Sequence, residues 1–163
     1  MFRYLVPILF ALTATWHALA QAPDVEDVPP QFYRYYDKGD AAGISSLYSE
    51  DATLYPSTGA PLIIGRSQIE EYFRQTFAGA ETRRLKPIQG YWQKYENFAI
   101  RSSTANITVE LKDSTKLTIP LHATYVYQKG PQGWLIVHHH VTRESPVPAV
   151  GPSQAKKTES GPR

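Results

Sequence analysis

Apolar and polar positions along this chain change their period once, near residue 83: before it apolar residues recur every three or four positions, and after it they alternate. Pro29-Pro30 offers a rigid entry to a first helix. Phe32, Tyr33, Tyr35 and Tyr36 give that helix an aromatic face, and Lys38-Gly39 ends it. Asp40 is a predicted N-cap for a second helix over 41–49, in which Ile44 and Leu47 lie three apart. Glu50-Asp51 closes it, and residues 52–55 predict a short strand stopped by Pro56. Ser67-Gln-Ile-Glu70 has capping-box spacing, which predicts a third helix to about Phe77 with Ile69, Tyr72, Phe73 and Phe77 as its buried stripe.

Beyond Arg83, alternation predicts four long strands over 85–93, 98–111, 117–128 and 134–143, with short turns that pair them as an antiparallel meander. Gly90 suggests a bulge in the first and Pro120 an edge or bulge position in the third. Three helices and one short strand followed by four long strands is an α+β order, with helices covering one face of a strongly curved sheet. The hollow between the layers is the natural ligand site.

The last strand is predicted to be central, and it runs from Trp134-Leu-Ile-Val straight into His138-His139-His140. Strict alternation puts Leu135, Val137, His139 and Val141 on one face, and Trp134, Ile136, His138 and His140 on the other. Neither face is then polar, so the side turned away from the helices needs a cover, and a homodimer through that side is expected.

A chain of 163 residues, 42% hydrophobic, suits one compact domain. The absence of cysteine excludes a disulfide framework and a thiol nucleophile. Residues 1–20 resemble a signal peptide, with Arg3, an apolar run and Ala18-Leu19-Ala20 at the cleavage positions. The expectation is a periplasmic or secreted protein with a flexible leader over 21–28, a domain over 29–145 and a disordered tail over 146–163 that holds Pro146, Pro148, Pro152 and Pro162. Cleavage removes only Arg3 from 17 basic side chains, against 15 acidic ones. Such a balance argues against nucleic acid as a partner, and no membrane partner is expected after cleavage.

Gly39-Asp40, Leu47-Tyr48-Ser-Glu-Asp51-Ala-Thr, Gly65-Arg66-Ser-Gln-Ile69 and Trp134-Leu-Ile-Val-His-His-His140 together resemble the nuclear transport factor 2-like superfamily. Within it the chain is most similar to the group named SgcJ/EcaC, related to the association domain of calcium/calmodulin-dependent kinase II. The resemblance covers roughly residues 30–145 and implies a cone of antiparallel sheet with three helices. It does not settle function, because this cone hosts isomerases, dehydratases, cyclases and non-catalytic assembly domains. The ketosteroid isomerase branch places a general base and a donor tyrosine where this chain has Pro56 and Phe32, neither of which can move a proton; a slip of one residue would restore Tyr55 and Tyr33. Two pocket arginines of the kinase association domain fall at Tyr125 and Val141.

The residues themselves nominate His139 and Tyr125 as catalytic candidates, and Arg101, Ser103, Tyr125, His139 and Tyr55 as ligand-binding ones. His138 and His140 share a side and invite a metal reading with His122 as third ligand, but no carboxylate stands near them, so neither metal nor cofactor is expected. The expected ligand is a small molecule, a carboxylate if Arg101 and His139 converge. A buried imidazole there should resist protonation. An enzyme of the isomerase, dehydratase or cyclase kind, and a pure assembly domain, stay open as alternatives.

Overall fold

The computed structural model describes residues 24–144; the expected signal peptide and tail lie outside them. Part of the stretch read as a flexible leader, from Asp24 on, is regular structure. Asp24 and Asp27 close a capping box around a 3-10 turn, Val25–Asp27, and Val25 is only 1% exposed, so the leader's end belongs to the core. Helix α1, Val28–Lys38, carries proline in its first turn and stops at Gly39, whose φ of 69° is a left-handed C-cap. Helix α2, Ala41–Ser45, is capped by the Asp40 carboxylate, which accepts from the Gly43 amide at 2.7 Å. It ends four residues earlier than predicted. The chain is already sheet at Tyr48, fully buried opposite Ile136.

Strand β1, Tyr48–Tyr55, pairs with a two-residue strand β2, Ile63–Ile64, before helix α3, Arg66–Ala78. The predicted capping box at Ser67 does not form: Gly65 is the N-cap and no side chain caps the helix. Glu70 turns instead to Ser45 Oγ at 3.2 Å and to Arg74 at 2.7 Å, while Arg66 ties α3 to β1 through the Tyr48 carbonyl at 2.8 Å. Strands β3 (Thr82–Lys94), β4 (Phe98–Glu110), β5 (Lys116–Gly130) and β6 (Gly133–Arg143) form the expected antiparallel meander. The sheet order is β2-β1-β6-β5-β4-β3, with β6 central and its pairing to β1 parallel.

Two irregularities shape the sheet. In β3 the register slips between Pro87 and Gln89, so the bulge lies at Ile88 rather than at Gly90. In β6 it slips between Ile136, opposite Tyr127, and His138, opposite Val126. The extra residue, Val137, reverses the alternation of everything before it. Ile136 and His139 therefore share the inner face, where strict alternation had separated them. Pro120 stands just beyond the last β5–β6 pair, Leu121 with Arg143, so its missing amide costs no bond to β6. The core lies between the inner face and the helices, where Phe32 and Tyr36 of α1 and Ile69, Phe73 and Phe77 of α3 meet Leu54, Ala99, Tyr125, Tyr127 and Ile136.

Candidate functional site

One transverse row of the sheet gathers most of the nominated residues. Trp92 of β3 is opposite Arg101 of β4, Arg101 opposite Tyr125 of β5, Tyr125 opposite His139 of β6, and His139 opposite Leu54 of β1. Neighbouring strands lie about 4.8 Å apart, so Arg101 and His139 stand roughly 10 Å apart at the backbone with the Tyr125 ring between them. Arg101, Tyr125 and His139 are all buried.

A cavity of about 140 Å³ opens between this inner face and the helices, walled by Phe32, Tyr33, Tyr72, Ser103, Tyr125 and His139 among others, with Arg143 at its exposed margin. A space of about 150 Å³ accommodates benzene in another protein, so a single ring or short chain fits. No Asp or Glu lines it.

His139 is the best defined group in that wall. Its ring stacks on Tyr125 with centroids 4.1 Å apart and meets Phe32 edge-on at 5.9 Å. Its Nδ1 lies 2.8 Å from the hydroxyl of Tyr48. Tyr48 is completely buried, and its hydroxyl has no other partner among the described residues. It must donate to Nδ1 to avoid leaving its own hydrogen unpaired, which assigns the imidazole proton to Nε2. Nε2 is buried with no protein partner. Burial, with smaller like-charge contributions from His138 and His140, pushes the His139 pKa down to about 3, so the ring is neutral near pH 7. The expected resistance to protonation is present, but its causes are desolvation and the flanking histidines rather than Arg101. Burial likewise raises Tyr125 and Tyr48, which stay phenols.

Arg101 is set beside the wall rather than in it. Its guanidinium carbon is 6.0 Å from the Tyr33 ring and 5.6 Å from the Trp92 ring, and Nη1 is buried without a hydrogen-bond partner. Burial raises the Tyr33 pKa, while the charge and hydrogen bonding of Arg101 pull it the other way. Arg101 thus offsets part of the rise at Tyr33 and supplies a positive field with no carboxylate partner among the described residues. Gly90 makes room for this cation: a Cβ there would stand 2.6 Å from Arg101 Nη2. Gly90→Ala should therefore shift the guanidinium and weaken carboxylate binding several-fold while changing stability by less than about 1 kcal/mol. Titration calorimetry and urea melts of the same preparation check both halves.

Ser103 lies at the cavity wall, its Oγ 3.4 Å from the Ala123 carbonyl. Tyr55 does not join the site. It is 46% exposed on the opposite face, edge-on to His138 and His140 at 6.4 and 5.6 Å, because the parity of β1 turns it away from Leu54. His138 Nδ1 shares a hydrogen bond with the Thr53 hydroxyl at 2.8 Å, and among the described residues no three His, Asp or Glu side chains gather as a metal set. The functional partners missed by sequence reasoning are Tyr48, Tyr72 and Trp92. Tyr48 stands between apolar Leu47 and the polar run Ser49-Glu50-Asp51, so its neighbours in sequence carry no clear sign of burial.

Known proteins share this architecture. A model of the SnoaL-like domain matches residues 25–146. A Xanthomonas campestris structure assigned as a calcium/calmodulin-dependent protein kinase II association domain superposes with a TM-score of 0.69 at 22% identity, covering 76% of this chain and 87% of that one. A Streptomyces avermitilis structure assigned as a dehydratase of the nuclear transport factor 2-like family gives 0.66 at 20% identity, over 74% and 93%. A ketosteroid isomerase-like protein from Erwinia carotovora gives 0.64 at 16%, over 75% and 95%. Identities this low speak to the fold alone, and all three agree on the α+β architecture of a curved, open sheet with helices on one face.

Proposed function

This chain belongs to the SnoaL-like domain family, and within it we propose an exported protein that binds a small carboxylate in the hollow of its sheet and works as a homodimer. Export rests on the signal-like residues 1–20. The reading of the pocket is carried by one observation: His139 Nε2, a donor by its contact with Tyr48, is buried at an aromatic cavity without a protein acceptor. Such a donor asks for an acceptor from a ligand. Arg101 favours that acceptor being anionic, and no carboxylate in the wall competes for it.

The same facts weigh against proton-transfer chemistry. A base would need a free lone pair, whereas the ring nitrogen that Tyr48 leaves to His139 carries the proton, and the ring is hard to protonate. No Asp or Glu substitutes for it in the wall. The names of the dehydratase and isomerase-like structures are therefore not carried over to this chain.

Titration with benzoate and with benzamide separates the possibilities. Benzoate should bind at least about tenfold more tightly, the size of one hydrogen bond to a charged group. Equal affinities would remove the anion site.

A further inference from the structure

The face of the sheet turned from the helices has an unusual chemistry. Its outward positions run through Ile100, Ser102, Thr104, Asn106 and Thr108 on β4, continue as even-numbered residues 118–128 on β5, and finish with Leu135, His138, His140 and Thr142 on β6. None carries a fixed charge, although 20% of the chain is charged. The charges sit at the rim: Arg84 and Lys86 on β3, and the Lys116–Glu110 pair, 3.6 Å apart, at the β4–β5 turn. A groove of about 350 Å³ crosses the face, lined by Tyr91, Ser102, Thr104, His122, Thr124 and His140 among others. Tyr91 is 66% exposed beside it, and Phe98 43% exposed on the same face.

A charge-free centre with a charged rim is the anatomy of an interface core. Its chemistry also selects the partner. Hydroxyls, amides and neutral imidazoles both donate and accept, so each can pair with its own copy across a two-fold axis, which a lysine or a glutamate cannot do. The occupant that fits is a second copy of this chain. This deepens the dimer reading given above and rests on it.

We propose that the imidazoles of His122 and His140 meet those of a second copy across this face, so that the dimer forms when they are neutral and separates when they are protonated. Protonation converts self-complementary groups into donors of one charge and brings like charges together in a desolvated contact. The residues of the groove supply no counter-charge; the nearest carboxylate along β6 is Glu144, exposed at the strand's end, two residues beyond Thr142 and bonded through its amide to the Pro120 carbonyl at 3.0 Å. From β1 the two imidazoles face Thr53 and Tyr55, from β5 Thr124, from β4 Ser102 and Thr104, and from β3 Gln89 and Tyr91; His138 beside them is held by Thr53. No Asp, Glu, Lys or Arg lines the groove.

Sedimentation of the full chain at about pH 7.5 and about pH 5.5 tests this, with near-ultraviolet circular dichroism confirming the fold at both. Bringing imidazolium groups together in the contact should lower the association constant by about tenfold or more at the lower pH. His122→Gln and His140→Gln keep an uncharged donor and acceptor at exposed positions, and the double variant should dimerise equally at both pH values. A parent whose dimer constant is the same at both would overturn the switch and leave the dimer standing. A parent that is monomeric at about pH 7.5 and tens of micromolar would overturn the dimer reading and the switch together.

Discussion

Replaced by methionine, Arg101 takes with it most of the preference for a carboxylate, and the folded state is as stable as before or more so. Arg101 is 8% exposed, its guanidinium lies over the rings of Tyr33 and Trp92, and it has no carboxylate partner among the described residues. A buried charge without a counter-ion weighs against the fold, and apolar replacement of buried ionic groups is commonly neutral or stabilising by about 1–4 kcal/mol. Its contribution to a bound anion is of the opposite sign. Over the roughly 10 Å that separates Arg101 from His139 in the row, at an effective dielectric near 20, the attraction is about 1.7 kcal/mol, or some fifteen- to twentyfold in affinity. Arg101→Met should thus lose benzoate affinity by that order, keep benzamide affinity and melt no earlier than the parent. Paired urea melts and calorimetry read both effects, and a variant that unfolds more easily while binding benzoate as before would reverse the assignment.

The second large effect is acid lability at His139. The imidazole has a folded pKa of about 3 against the usual value near 6.5. Above the unfolded value both states are neutral and the contribution to stability is complete. As pH falls below it the unfolded chain takes up the proton first, so stability declines until the folded pKa is reached. The whole span is worth about 5 kcal/mol, a large share of a domain's net stability. His139→Gln has no such group, and its stability should fall about 2–3 kcal/mol less than the parent's between about pH 7 and about pH 4.5. Chemical denaturation at the two pH values measures the difference, and parallel declines in parent and variant would show that His139 is not buried neutral.

The fold was largely legible because its elements follow the two periods of the sequence. The aromatic stripe on α1, the alternation of β3 to β6 and the Trp134-to-His140 run each pointed to one structure. In β6 what misled was a single residue. A bulge at Val137 leaves no mark in a strand that is apolar on both faces, yet it decides which of Leu135 and Ile136 accompanies His139 inward. Tyr55 was misplaced because the β1 register depends on a parallel partner 85 residues away, Thr53 with His138, which local pattern cannot supply. The capping box failed for a similar reason: a tertiary contact to Ser45 took Glu70 from its helix. Tyr48 was hidden in the same way, since only the folded sheet brings its hydroxyl to His139 across 91 residues.

The central claim is that His139 offers a neutral Nε2–H donor to an anion in the cavity, and nitrogen-detected magnetic resonance of the imidazoles observes it directly. The account predicts that His139 is protonated at Nε2 and unprotonated at Nδ1 throughout the neutral range, and that benzoate shifts the Nε2–H signal while benzamide moves it far less. An Nδ1–H tautomer, an imidazolium near pH 6, or a His139 signal indifferent to benzoate at saturation would contradict it.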